Sequence, residues 1–218
     1  MPVDFKVYLI TDRKQVNMPL AVAVRQALEG GVRAVQLREK DLPVRDLLAL
    51  SQEMRVLTNE FGARLFINDR VDVAVAVNAD GVHLGHESMP VEAVRRVVGK
   101  NMLIGVSTHD LAEAKAAEAG GADFITFGPI FETPSKAKLG TPVGVVLLKE
   151  IKCDISIPIY ALGGIKSGNI MQVLSAGASG VAMISAILSA EDIKKASSNL
   201  IEAVTFCDKF ICESCAPR

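Results

Sequence analysis

Tryptophan is absent from the sequence, and tyrosine and histidine occur only two and three times in 218 residues. That scarcity argues against a sandwich built on large aromatic side chains. Half the residues are apolar, and alanine and valine dominate them, which suits packing between parallel strands and covering helices. No sign of charge prevails: the formal net charge is −1, so nothing global attracts nucleic acid or an anionic membrane. Any anion must be bound by a local arrangement. No apolar run approaches the ~20 residues that span a bilayer, and MPVDFKVYLITD enters a strand-like stretch without a signal-peptide core. A soluble, cytoplasmic protein is expected. Of the four cysteines, Cys153 stands alone and Cys207, Cys212 and Cys215 fall near the end. Cys212 and Cys215 have C-x-x-C spacing, but no second ligand pair lies nearby, which favours reduced thiols in a tail over a metal or redox site.

What is present is alternation. Short apolar runs (6–12, 34–40, 64–68, 81–85, 102–107, 124–128, 158–162 and 180–185) are separated by longer amphipathic segments such as 43–61, 110–119 and 144–151. In the first of these segments Val44, Leu47, Leu48, Met54 and Leu57 recur at helical spacing. Asp110 followed by Glu113 reads as a capping box. Glycine joints recur before strands, at Gly30-Gly31, Gly120-Gly121 and Gly177. About eight strand–helix units in one chain predict a compact single-domain (β/α)8 TIM barrel, an α/β fold. A doubly wound open sheet ranks second, because no G-x-G-x-x-G follows the first strand. The catalytic domain is expected over residues 1–210, with a disordered tail over 211–218.

A barrel of this kind forms its site where the strands end. At the second strand, period-two alternation puts Gln36, Arg38 and Lys40 on one face and Leu37 on the other. That face reads either as a phosphate clamp or as a solvated strand end. The third strand stops at Asn68-Asp69. Asp69 could hold Mg²⁺ on phosphate oxygens, and the competing reading is an N-cap for the next helix. Ser107 ends the fifth strand, and Thr133, Ser135 and Lys136 lie on the longest connection, whose composition is that of a lid. Gly163-Gly164 and Ile184-Ser185 stand after strands seven and eight, where barrels often bind phosphate. His83 reads as a core imidazole, and His86 and His109 as weak acid–base candidates. With no paired-histidine metal spacing and no G-x-S-x-G, the inventory favours electrostatic stabilisation over covalent catalysis.

Taken in order, YLITDR (8–13), VQLREK (35–40), FINDRVDVA (66–74), ADGVHLG (79–85), IGVSTH (104–109), GADFITFGPIFETPSK (121–136), ALGGI (161–165) and GVAMISAI (180–187) resemble the thiamine-phosphate synthase family over nearly the whole chain. The resemblance implies a transferase of thiamine biosynthesis. It condenses 4-amino-5-hydroxymethyl-2-methylpyrimidine diphosphate with a thiazole phosphate, giving thiamine phosphate and diphosphate. By the same resemblance Gln36, Arg38, Lys40, Asn68, Ser107 and Lys136 bind the pyrimidine diphosphate. Thr133, Ser135, Gly163, Ile184 and Ser185 bind the thiazole phosphate, and Asp69 holds Mg²⁺. The implied pathway is dissociative, with Arg38, Lys40 and Lys136 stabilising the departing diphosphate. The partners expected are small phosphorylated molecules, neither nucleic acid nor membrane, and a homo-oligomer is compatible with the sequence.

One position departs from the pattern. Many family members carry an aspartate, a second magnesium ligand, three residues past the glycine of ADGVHLG; here that position is Ser88, with Glu87 a substitute one residue earlier. Two other functions compete. A thiazole tautomerase of the same fold would place a histidine after the glycine of the sixth strand, where this chain has Pro129. A non-catalytic binder of thiamine intermediates could dispense with Arg38, Lys40 and Lys136, which are all present.

Overall fold

The protein is seen here as a computed structural model that describes residues 2–133 and 142–214, with side chains through residue 210. Eight parallel strands close a barrel in sequence order. They are β1 Val7–Ile10, β2 Ala34–Leu37, β3 Arg64–Asn68, β4 Gly81–Leu84, β5 Leu103–Thr108, β6 Phe124–Phe127, β7 Ile159–Leu162 and β8 Gly180–Met183. The ring shuts where Leu9 pairs with Met183. The α-helices are α1 Leu20–Glu29, α2 Val44–Glu60, α3 Val71–Ala76, α4 Val91–Val98, α5 Leu111–Ala119, α6 Gly144–Asp154, α7 Ile170–Ser175, α8 Ser185–Leu188 and α9 Ile193–Ser214. Every strand expected from the apolar runs is present, and their closed pairing bears out the barrel over the open sheet. Residue 210, the expected domain boundary, falls inside α9, and Cys215 lies outside the described residues. Cys153 is exposed and Cys207 buried. Among the described residues, no helix is long and apolar enough to cross a membrane.

Alternation along each strand divides the apolar residues into two cores. Outward-facing Val7, Leu9, Val35, Leu37, Leu65, Ile67, Ile104, Ile125 and Val181 pack under the helices, where small and branched side chains prevail. On α2, Leu47, Met54 and Leu57 join this core, while Val44 at its first position is half-exposed. The barrel interior is different. Both tyrosines and three phenylalanines (Phe5, Tyr8, Phe66, Phe124 and Tyr160) form an aromatic plug there. The rarity of aromatics in the chain thus conceals their concentration at one place. Phe124 sits at its centre, with ring centroids 5.5 Å from Phe66 and Tyr160 and 5.6 Å from Phe5 and Tyr8. Glycines on neighbouring strands make the room. A methyl at Gly105 would lie 2.4 Å from Phe124, and one at Gly81 2.4 Å from Phe66.

β2 ends sooner than alternation alone predicts. Arg38 N–H leaves the ladder to donate to Thr11 Oγ1 at 2.9 Å, and Leu42 N–H closes a turn on the Glu39 carbonyl. Lys40 therefore lies on that turn, not on the strand face shared by Gln36. The cap at α5 forms as expected on one side: Asp110 Oδ1 accepts Glu113 N–H at 2.8 Å. Glu113 reaches back one residue further, to His109 N–H at 2.7 Å. Asp110→Ala should cost about 1 kcal/mol of stability, read as a lower urea midpoint at unchanged slope.

Candidate active site

At the carboxyl ends of the strands, above the aromatic plug, the inward side chains become polar. Gln36, His83 and Thr126 are buried, and Ser107 is half-buried. Gln36 Nε2 donates to the Tyr8 hydroxyl at 3.1 Å, and His83 Nε2 lies 3.0 Å from Ser107 Oγ. His83 is thus the satisfied core imidazole the sequence predicted, but it touches a residue of the rim. Burial, and secondarily the charge of Arg38, push its pKa down to about 3. Below the unfolded value of 6.5 the unfolded chain binds a proton that the folded chain refuses. The stability contributed by a neutral His83 is complete above that pH and is lost as pH falls toward 3, by at most about 1.4 kcal/mol per unit. Urea midpoints measured from pH 7 to pH 5 should therefore fall less steeply for His83→Gln than for the parent protein.

The end of β2 carries Arg38, half-buried, and Lys40, exposed. Arg13, Arg55, Arg64 and Arg95 are each paired with an aspartate. Arg38 has no carboxylate partner among the described residues, which leaves its fork for an anionic ligand. The backbone beneath it is held by a cluster that sequence reasoning missed. Buried Glu39 accepts Thr11 Oγ1 at 2.7 Å and Arg13 Nη1 at 3.1 Å. Arg13 also forks onto Asp41 at 2.6 and 3.0 Å, and with Lys14 holds that carboxyl well below its ordinary range. The alternating signs of Thr11-Asp12-Arg13 and Arg38-Glu39-Lys40-Asp41 were its trace in the sequence.

At β3, Asn68 is half-buried and Asp69 exposed. Asp69 does not cap α3: the N-cap position is Arg70, with no side-chain cap. Instead Asp69 adopts φ of 64°, its N–H bound to the His83 carbonyl at 2.8 Å. A left-handed aspartate is a strained choice for a turn that serves capping alone. The donor set here is one carboxylate. Ser88 Oγ already accepts Gly85 N–H at 2.7 Å, and Glu87 is exposed. Among the described residues no three His, Cys, Asp or Glu side chains converge on a metal position. Mg²⁺ commonly takes one or two protein carboxylates and completes its shell with phosphate oxygens and water, so Asp69 fits an ion that arrives with a diphosphate. His86 and His109 both turn to Glu113, at 3.5 and 3.0 Å.

The opposite side of the mouth is a cavity of about 280 Å³ lined by Thr133, Gly163, Gly164, Ile184 and Ser185 together with Glu132 and Lys166. Gly163 and Gly164 have φ of 96° and 66°. A methyl on Gly163 would meet Pro129 at 2.6 Å, and one on Gly164 the Glu132 carbonyl at 2.7 Å. Glycine is therefore required at both positions, for the left-handed backbone and for close packing against the segment that follows β6. Lys166, which the sequence reading passed over, adds an ammonium; only its position three residues after Gly163 could have drawn attention to it. Ser135 and Lys136 lie outside the described residues.

The arrangement has known counterparts. Residues 7–187 match the family of thiamine monophosphate synthase. A relative from Geobacter sulfurreducens is 56% identical over 200 residues, covering 91% of this chain and 94% of its own. The thiamine-phosphate synthase of Pyrococcus horikoshii is 44% identical over 195 residues, 89% of this chain and 92% of its own. The solved thiamine phosphate pyrophosphorylase from Pyrococcus furiosus superposes with a TM-score of 0.86 at 41% identity, over 93% of this chain and 96% of that one.

Proposed function

This chain belongs to the thiamine monophosphate synthase family, transferases of thiamine biosynthesis, and we propose that it makes thiamine phosphate by a dissociative, Mg²⁺-assisted condensation. The observation that carries the reading is a mouth with two unlike sides. A half-buried Arg38 with no carboxylate partner among the described residues stands on one side and a glycine-lined cavity on the other.

On the first side Gln36, Asn68 and Ser107 orient 4-amino-5-hydroxymethyl-2-methylpyrimidine diphosphate, and Arg38 and Lys40 meet its charge; the family resemblance gives Lys136 the same role. The bond between the pyrimidine methylene and the diphosphate oxygen breaks, and its electron pair leaves with the diphosphate. Arg38 stabilises that developing charge with a planar fork, while the two lysines act as point charges. Asp69 is the residue that would hold Mg²⁺, which would offset negative charge on the departing diphosphate. On the second side Thr133, Gly163, Ile184 and Ser185 hold the thiazole phosphate, a role the family resemblance extends to Ser135. They keep the ring nitrogen beside the methylene carbon it attacks, and this proximity supplies much of the remaining acceleration. No protein nucleophile is needed. The tautomerase reading lacks its imidazole, since Pro129 occupies that position against Gly163.

This reading puts the enzyme in the cytoplasm with small phosphorylated substrates as its partners. Purified protein given both substrates and Mg²⁺ should form thiamine phosphate and diphosphate, detected chromatographically. Absence of product while both ligands still bind would overturn the synthase reading in favour of a binder.

A further inference from the structure

Directly above the aromatic plug, polar side chains from four strands form one line across the barrel. The Gln36 amide nitrogen lies 3.1 Å from the Tyr8 hydroxyl. That hydroxyl lies 3.4 Å from His83 Nδ1, and His83 Nε2 lies 3.0 Å from Ser107 Oγ. Gln36, Tyr8 and His83 are 1%, 0% and 2% exposed, so their polar hydrogens have to be satisfied within the protein.

Burial gives the line a direction. An amide nitrogen can only donate, so Gln36 supplies a proton to the Tyr8 oxygen. The Tyr8 O–H then turns to the acceptor beside it, His83 Nδ1. A neutral imidazole that accepts at Nδ1 carries its proton on Nε2, and that proton goes to Ser107 Oγ. Thr126 Oγ1 donates to the same oxygen from 3.4 Å. Ser107 receives hydrogen bonds from inside the barrel and retains its own proton. It is also the half-buried member of the line, the one that opens toward the mouth.

We propose that Tyr8 and His83 are positioning residues that fix Ser107 as a hydrogen-bond donor toward the ligand. The site then favours a substrate with an acceptor at that point, a ring nitrogen or a diphosphate oxygen, and rejects one that presents an N–H or O–H there. Only the identity of this ligand rests on the synthase reading; the direction of the line does not.

Two measurements test the proposal. Nitrogen-15 NMR of the ligand-free protein should show His83 with a proton on Nε2 and a bare, accepting Nδ1. Tyr8→Phe keeps the ring in the plug and removes only the hydroxyl, and it should let the Nδ1–H tautomer appear. A parent protein with the proton on Nδ1 would overturn the proposal, whatever reaction the enzyme catalyses. In steady-state assays Tyr8→Phe should lower kcat/KM about tenfold. The same change made in Ser107→Ala should cost nothing more, because the residues act through one another. Additive losses would show that Tyr8 acts by another route and overturn it too. A purely structural Tyr8 would shift the melting temperature and leave the tautomer unchanged, which would also count against the proposal. If the parent makes no thiamine phosphate, the synthase reading falls while the NMR result still decides the line.

Discussion

Truncation of Arg38 to alanine is expected to lower kcat by about 10²–10³-fold, the usual cost of removing one preorganised donor from a developing anion. The fold change follows from where the guanidinium stands. Its backbone N–H is pinned to Thr11 Oγ1 at 2.9 Å, and the Glu39–Arg13–Asp41 cluster below it keeps that turn in place. The side chain has no carboxylate partner among the described residues, so the folded protein has not already neutralised it. Loss of the fork should reach the bond-breaking step more than substrate affinity, because the charge it meets grows as diphosphate departs. Arg38→Lys, which keeps charge but not bidentate geometry, should fall between the parent and the alanine variant. Stability should change little, since no buried partner is orphaned. If Arg38→Ala turns over at the parent rate, the diphosphate clamp has been assigned to the wrong residues.

The largest loss of stability is expected from Phe124→Ala, about 3–5 kcal/mol. Phe124 is fully buried, and its ring meets those of Phe5, Tyr8, Phe66 and Tyr160. The surrounding strands are hydrogen-bonded into a closed ring, so the walls cannot collapse into the space a missing phenyl leaves. The melting temperature should drop on the order of 10 °C for a domain of this size. Activity should fall as well, because Phe124 also supports His83 at a centroid distance of 5.8 Å. Phe124→Leu should recover part of both. A loss below about 1 kcal/mol in Phe124→Ala would mean that the plug is not the structural centre of the barrel.

Much of this protein is written in its local sequence. Apolar runs of five to seven residues between glycine-marked joints define the strands, and β3 begins and ends where Arg64–Asn68 predicts. Leu37 packs outward under the helices, as its place opposite Gln36 requires. The position of the rim follows from topology: parallel strands all end on one face, so residues that follow strands must gather there. That is why Gln36, Arg38, Asp69, Ser107 and Ser185 could be named before any coordinates. Period and order are local quantities, and a sequence displays them directly.

What meets across the barrel is not local. Tyr8 and His83 are 75 positions apart, Phe5 and Tyr160 are 155 apart, and Thr11 and Glu39 are 28 apart. Nothing in their spacing pairs them: Thr11 meets Glu39 through the register of β1 on β2, and the other two contacts depend on closure of the ring. Closure gathered scarce aromatics into one plug, while contacts between neighbouring strand ends withdrew Lys40 from the strand face and left Asp69 in a left-handed turn instead of a cap. The sequence determined which residues would reach the mouth of this barrel. The tertiary structure decided which of them are already partnered and which, like Arg38, still have a charge to offer.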